Sequence, residues 1–468
     1  MTDLQPVDPT TIPYLQGRFE PVHREIDTTD VTIDGEVPAD LAGTYLRNGP
    51  NAKYAPLGSY LYPMEGDGMV HSVQLGPDGV HYRNRWVRTQ SFEADVRAGR
   101  AVFGGLMTPS FPGPELTGPN PDPTWPYKEG AFINIVRHAD RYLALDEGAP
   151  PYEVTAALDT VGRVDFDGAL PNGITAHPKI DPVTGEMIVF RYDVSEPFLT
   201  WAVLGADGSV VQPETPVPDV DVSYMIHDCA ITEQHLVLVL APMVIDLDAM
   251  TRGGSILDWR PQLGCRIAVI ARDGSGVQWV ETDPFWVWHY ANAHLDGSVV
   301  VMDYPEWNIP GAIIPDAPPV VGNYVRARID VERGTFEREV LHDGPTEFPR
   351  IDERRLGRQQ RYSLVTGGSG DQRLVLAEHD VLCRVDLQTA AFDEVVLDGP
   401  VGEPVFAPRP GGTEELDGWY LAFVTTFGER HSSLCVWDAA AFPDEPIARI
   451  HLPQRVPNGL HGHWFPAG

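Results

Sequence analysis

Residues 373–397 read RLVLAEHDVLCRVDLQTAAFDEVVL. From Leu374 to Val396, short β-branched and aliphatic runs alternate with brief polar stretches, the pattern of successive antiparallel hairpins. The same pattern recurs at Glu186 to Tyr192 followed by Leu199 to Val211, and again from Arg266 to Val280, where Asp-Gly or Gly-x turns join the runs. Glycine (45) and proline (44) are scattered through the whole chain, so long helices are repeatedly interrupted while short strands and turns are allowed. The chain reads as all-β.

Hairpins of this kind continue from about Val31 to the carboxyl end, with no composition break or Ser/Gly linker, so residues 1–468 read as a single β domain. Four-stranded blades of about 40 to 50 residues plus connections would let this length hold about seven, which predicts a seven-bladed β-propeller, with a pair of β-sandwiches as the alternative. Residues 103–127, FGGLMTPSFPGPELTGPNPDPTWPY, follow neither strand nor helix period and are expected to form a cap or lid. That cap is also the expected place of any transient membrane contact.

The composition excludes several classes. Hydrophobic residues at 43% and charged residues at 22% fit a folded globular chain and neither a disordered nor a fibrous one. The 67 acidic against 34 basic residues give a net charge of −33, which repels phosphate backbones, so nucleic acid is not an expected partner. Cys229, Cys265, Cys383 and Cys435 form no Cys-x-x-Cys pair, which disfavours a thiolate zinc site or a disulfide framework and suits the cytoplasm. The amino terminus lacks the basic start and apolar run of a signal peptide, and no stretch reaches the roughly 20 apolar residues of a spanning helix.

Four histidines stand in apolar or small surroundings: His177 in NGITAHPKID, His227 in SYMIHDCAI, His289 in FWVWHYANAHLDG and His461 in VPNGLHGHWFP. The step from 177 to 227 is 50 residues, from 227 to 289 is 62, and from 289 to 461 is 172, nearly three units of about 57. Equivalent positions on the inner strands of different blades converge on a propeller axis, so these spacings could bring four imidazoles to one point. Four neutral imidazoles suit a first-row metal, and an open position would suit oxygen chemistry at Fe(II). Glu147, Glu347 and Glu403, each beside residues expected to be buried, are candidate carboxylates to accept the second ring N–H. A solvated edge position is the competing reading for each.

At these residues the sequence resembles the carotenoid cleavage oxygenase family, which includes bacterial apocarotenoid and stilbene-cleaving dioxygenases. The matching stretches run along nearly the whole chain: GTYLRNGPN (43–51), EGDGMVH (65–71), RYLALDEG (141–148), TAHPKID (175–181), IHDCAIT (226–232), WHYANA (288–293), EFPRID (347–352), GEPVFAPRPGGTEELDGW (402–419) and LHGHW (460–464). The resemblance implies Fe(II), one per chain, on the propeller axis, held by His177, His227, His289 and His461. It further implies that Glu147, Glu347 and Glu403 orient His227, His289 and His461 respectively, while His177 has no such carboxylate. His71, His294 and His463 are neighbours that the family pattern leaves out. The glycine motifs GTYLRNGPN and EGDGMVH read structurally, as tight turns, with Arg47 pairing within the fold.

The implied reaction is oxidative cleavage of a carbon–carbon double bond, with dioxygen as co-substrate and two carbonyl products. No NAD, flavin or haem is expected, in keeping with the lack of a strand-linked Gly-x-Gly-x-x-Gly. The substrate should be apolar, elongated and conjugated, a carotenoid or apocarotenoid. The alternatives are a phenylpropenoid alkene (hydroxystilbene, vinylphenol or isoeugenol-like) or a propeller that only binds an apolar ligand. A calcium lactonase propeller would need oxygen ligands at the axis. Two departures bear on the alkene: Asp146 stands where the stilbene-cleaving branch has a phenol-binding lysine, and Ile133 stands where many members carry a threonine near the iron. Asp146, Ile133 and Tyr62 are the expected substrate-lining residues.

Overall fold

A computed structural model describes residues 4–467 apart from 109, 111, 114–127, 249–255, 314–319, 321 and 370–377. Most of the expected cap, and the start of the 373–397 hairpin series, lie outside the described residues. Seven antiparallel sheets form the blades. Blade 1 holds Asn134–His138, Arg141–Leu145, Tyr152–Val154 and Thr160–Arg163, and blade 2 holds Lys179–Ile180, Met187–Tyr192, Leu199–Leu204 and Val210–Pro216. Blade 3 takes Ala230–Ile231, His235–Leu240, Cys265–Ala271 and Val277–Thr282; blade 4 takes Asn292–Asp296, Val299–Trp307, Gly322–Asp330 and Thr335–Asp343. Blade 5 comprises Thr346–Arg350, Tyr362–Gly367, Val381–Asp386 and Ala391–Val396.

The last two blades join the chain ends. Val405–Pro408, Gly418–Val424, Ser433–Asp438 and Ala448–His451 make blade 6, and amino-terminal Thr32–Gly35 pairs with its outermost strand. In blade 7 the carboxyl-terminal strand Gly462–Pro466 pairs with Gly43–Arg47, followed by Met69–Gly76, Gly79–Trp86 and Asp27–Thr28. Pairing strands from the two chain ends in these blades closes the ring.

Burial follows the radial position of each strand. Leu199–Leu204 is buried at every residue, as expected of a strand covered on both faces, and its sequence LTWAVL is almost wholly apolar. The outer strand Thr335–Asp343, TFEREVLHD, is mostly exposed and carries the charges. Neighbouring blades meet through separate apolar clusters, for example Leu143 with Val189 between blades 1 and 2, and Tyr45 and Val73 with Leu421 and Leu434 between blades 7 and 6. The α-helix Gln90–Ala98 is capped by the Thr89 hydroxyl accepting from Phe92 N–H and ended by Gly99 at φ 67°.

Two glycines in the quoted motifs answer to close approach. A β-carbon at Gly68 would lie 2.2 Å from the Ala131 carbonyl oxygen, and one at Gly43 would lie 2.5 Å from the Phe465 carbonyl oxygen, within the closing strand pair. Gly43→Val is therefore expected to lower the unfolding free energy in urea titrations by about 1–3 kcal/mol, the usual cost of overpacking. Gly76→Ala, whose β-carbon meets nothing within 4 Å, should shift it by less than about 0.5 kcal/mol.

Candidate metal centre and cavity

Each of the four histidines precedes an inner strand. His177 leads into Lys179–Ile180 of blade 2, His227 into Ala230–Ile231 of blade 3, His289 into Asn292–Asp296 of blade 4 and His461 into Gly462–Pro466 of blade 7. The long step from 289 to 461 passes through blades 5 and 6, so the spacing of nearly three units corresponds to three blade steps. The ligand-capable nitrogens of all four lie within 4.8 Å of one another. His177 Nε2 is 3.1 Å from His227 Nε2, which is 3.3 Å from His289 Nε2.

The blades that contribute no histidine contribute the carboxylates. Glu147 follows the second strand of blade 1 and accepts from His227 Nδ1 at 2.6 Å. Glu347, in the inner strand of blade 5, accepts from His289 Nδ1 at 2.6 Å, and Glu403, just before the inner strand of blade 6, accepts from His461 Nδ1 at 2.9 Å. Among the described residues no carboxylate bonds the His177 ring. His294 and His463 stand outside the cluster, His463 Nδ1 lying 3.2 Å from Arg350 Nη2. His71 bonds the Tyr82 hydroxyl at 2.9 Å, and burial drops its pKa to about 3.

Other side chains hold the carboxylates in turn, and the sequence reading did not find them. Tyr192 OH donates to Glu147 Oε1, Trp307 Nε1 donates to Glu347 Oε1 at 3.0 Å, and Arg350 pairs with Glu403 Oε2 at 3.0 Å. Arg350 alone had a local signal, since it lies in EFPRID with Glu347. Asp228 ties three histidine-bearing segments together: it accepts from Tyr290 N at 2.9 Å and Cys229 N at 2.7 Å and pairs with Lys179 at 2.8 Å. In blade 5 the register shifts between Glu347 and Arg350, and Phe348 adopts φ 49°. This irregularity lets Glu347 reach His289 while the adjacent Phe348 ring stacks on that imidazole at 5.6 Å.

At the Glu347 and Glu403 carboxylates, neighbouring charges override burial. Burial raises the Glu403 carboxyl, but Arg350 and His461 more than reverse this and hold it well below the carboxylate range. Burial likewise opposes ionisation of Glu347, and His289 reverses it; the same contact raises the His289 pKa against its own burial. Burial lowers His461 to about 4, and burial followed by the neighbouring imidazoles takes His177 well below its ordinary value.

This arrangement fits a metal ion. A carboxylate can only accept, so the bonded Nδ1 atoms of His227, His289 and His461 carry the protons and their Nε2 lone pairs face inward. His227 and His289, both fixed in this way, hold their Nε2 atoms 3.3 Å apart, where facing lone pairs repel unless a cation lies between them.

A cavity of about 550 Å³ opens beside this centre. The histidines do not line it; Ile133 and Glu147 do, and they adjoin the cluster because Glu147 bonds His227 and the Ile133 carbonyl accepts from His461 N at 3.1 Å. Ile133, one residue before the inner strand of blade 1, occupies the place that His461 takes in blade 7. Phe103 and Leu106, from the described part of the expected cap, line the cavity too. Asp146 also lines it, but both of its oxygens serve the backbone: Oδ2 accepts from Gly130 N at 2.8 Å and Ala131 N at 3.2 Å, and Oδ1 from Glu147 N at 3.0 Å. Burial raises its pKa to about 6 against those three donors.

Tyr62 requires a correction, because it does not line this cavity. Its ring stacks on Tyr14 at 5.0 Å and its hydroxyl donates to the Asn458 carbonyl at 2.9 Å, leaving Tyr60 and Met64 on the wall.

Residues 19–466 match the family described as retinal pigment epithelial membrane protein. The chain is 31% identical to a carotenoid cleavage oxygenase of Mycobacterium tuberculosis over 97% of both chains, and 30% identical to isoeugenol monooxygenase of Pseudomonas nitroreducens over 97% of this chain and 98% of that one. Its fold superposes on the crystal structure of Pseudomonas brassicacearum lignostilbene dioxygenase with a TM-score of 0.88, covering 97% of this chain and 99% of that one at 29% identity.

Replacing His177, His227, His289 or His461 by Ala is expected to abolish stoichiometric iron retention, measured by metal analysis after gel filtration, because removing one arm removes both affinity and fixed geometry. His294→Ala and His463→Ala should keep iron.

Proposed function

The chain belongs to the retinal pigment epithelial membrane protein family, whose relatives include the carotenoid cleavage oxygenases, and from that premise we propose that it is an Fe(II) dioxygenase cleaving a carbon–carbon double bond of a conjugated apolar substrate. The observation that carries this reading is the meeting of four imidazoles, three of them oriented by buried carboxylates, beside a cavity walled by Phe103, Leu106, Phe132, Ile133 and Met225. His177, His227, His289 and His461 would hold the ion. When bound, iron would supply the redox chemistry by which both atoms of dioxygen enter the alkene, giving two carbonyl products.

The remaining work falls to side chains of this protein. Glu147, Glu347 and Glu403 keep three Nδ1 atoms protonated and the ring planes fixed, which preserves the inward lone pairs. Tyr192, Trp307 and Arg350 occupy the other carboxylate oxygens, so the glutamates cannot swing toward the ion. Ile133 places hydrocarbon on the cavity wall beside the histidines, where a hydroxyl would hold water beside the reacting alkene.

A carotenoid or apocarotenoid is the preferred substrate class. Asp146 offers a phenolate no donor, and its committed oxygens leave it as a clamp on Gly130, Ala131 and Glu147. The second reading, a phenylpropenoid alkene, draws on the likeness to the lignostilbene and isoeugenol enzymes. A cytoplasmic setting is supported by the four cysteines, all buried and unpaired; among the described residues no helix is long and apolar enough to cross a membrane.

Iron-loaded protein incubated aerobically with carotenoids, apocarotenals, stilbenes and vinylphenols is expected to release aldehydes from the polyenes, identified by mass spectrometry. Aldehydes from 4-hydroxystilbene or 4-vinylphenol, with every polyene untouched, would replace the preferred class by the second. Glu147→Gln, Glu347→Gln and Glu403→Gln should each lower iron affinity or turnover by about 10- to 100-fold while leaving the circular dichroism spectrum unchanged.

A further inference from the structure

The EGDGMVH motif supplies nothing to the histidine centre, yet its first residue stands in the cavity wall. Glu65 Oε1 accepts from Leu106 N at 2.8 Å and from Leu61 N at 3.2 Å, so the backbone of two wall segments fixes the carboxyl. Oε2 has no hydrogen-bond partner among the described residues. It lies beside Gly105, where a β-carbon would come 2.8 Å from it and 2.4 Å from Ser59 Oγ. The nearby cation, Lys128, is committed to Asp67 at 2.6 Å and Asp95 at 2.7 Å. Burial raises the Glu65 pKa to about 7 against the two backbone donors and Lys128.

A carboxyl so placed recognises a hydroxyl in either protonation state: ionised it accepts, and neutral it accepts or donates. A hydrocarbon packed against Oε2 would instead leave a polar atom shut away without a partner, which costs binding. Resting on the alkene-cleavage reading, we propose that Glu65 determines specificity by binding, through Oε2, a hydroxyl borne at one end of the substrate. The enzyme then takes hydroxylated alkenes over counterparts that differ only by that oxygen.

Anaerobic titration of the iron-loaded protein, followed by quenching of its tryptophan fluorescence, separates binding from turnover. Two matched pairs serve as probes: 3-hydroxy-β-apocarotenal against β-apocarotenal, and 4-hydroxystilbene against stilbene. The wild type should bind the hydroxylated member of at least one pair about 10-fold more tightly, the scale of one hydrogen bond to a buried carboxyl. Which pair responds tells a ring alcohol from a phenol. Glu65→Gln, whose amide still accepts and donates, should keep most of that ratio, and Glu65→Leu should bring it near one; Glu65→Ala replaces the leucine variant should the latter fail to fold. A wild-type ratio near one in both pairs, or a ratio unchanged in the leucine or alanine variant, would overturn the inference alone. Failure of the wild type to bind any of the four probes would overturn the alkene reading and this inference together.

Discussion

Three hydrogen bonds from imidazole Nδ1 atoms to buried carboxylates, His227 to Glu147, His289 to Glu347 and His461 to Glu403, are the interaction on which the site depends. Each bond decides which ring nitrogen carries the proton, and so turns a lone pair toward the axis. Without them the rings could donate to one another and the centre would collapse into an ordinary histidine cluster. With them, the crowded inward nitrogens stand ready for a cation.

The propeller is what makes that arrangement affordable in folding terms. Blades 2, 3, 4 and 7 each present an imidazole at the entrance to an inner strand, and blades 1, 5 and 6 each present a carboxylate. Ring closure through Gly43–Arg47 and Gly462–Pro466 fixes His461 relative to the other three, since it immediately precedes the closing strand. Asp228 then links the segments carrying His177, His227 and His289 through Lys179, its own neighbour Cys229, and Tyr290. Rigidity at the centre therefore comes from strands far apart in sequence, which meet only when the ring is complete.

Much of this was legible in the sequence. The hairpins at 186–211 and 266–280 correspond to strands Met187–Tyr192, Leu199–Leu204, Val210–Pro216, Cys265–Ala271 and Val277–Thr282, because alternating runs and Gly-containing turns are local signals. The histidine spacings reported blade steps for the same reason that a propeller repeats. What escaped was non-local. Tyr192 and Trp307 sit at the ends of second strands and reach glutamates in other blades, so no window of sequence contains both partners. The Phe348 irregularity breaks the alternation that strand reading assumes. Tyr62 lies between two residues that do line the cavity, yet its ring turns to Tyr14, a choice set by packing against the amino-terminal segment. Asp146 lines the cavity, but its role there depends on three backbone N–H groups that its side-chain chemistry alone cannot reveal.

X-ray absorption at the iron edge of the Fe(II)-loaded protein tests the central claim most directly, because imidazole rings scatter with a signature that counts them. The account predicts four imidazole nitrogens bound to iron, and no such shell in His177→Ala protein, which does not retain the ion. A shell dominated by carboxylate oxygen or thiolate sulfur, or an imidazole count that does not change when His177 is removed, would contradict it.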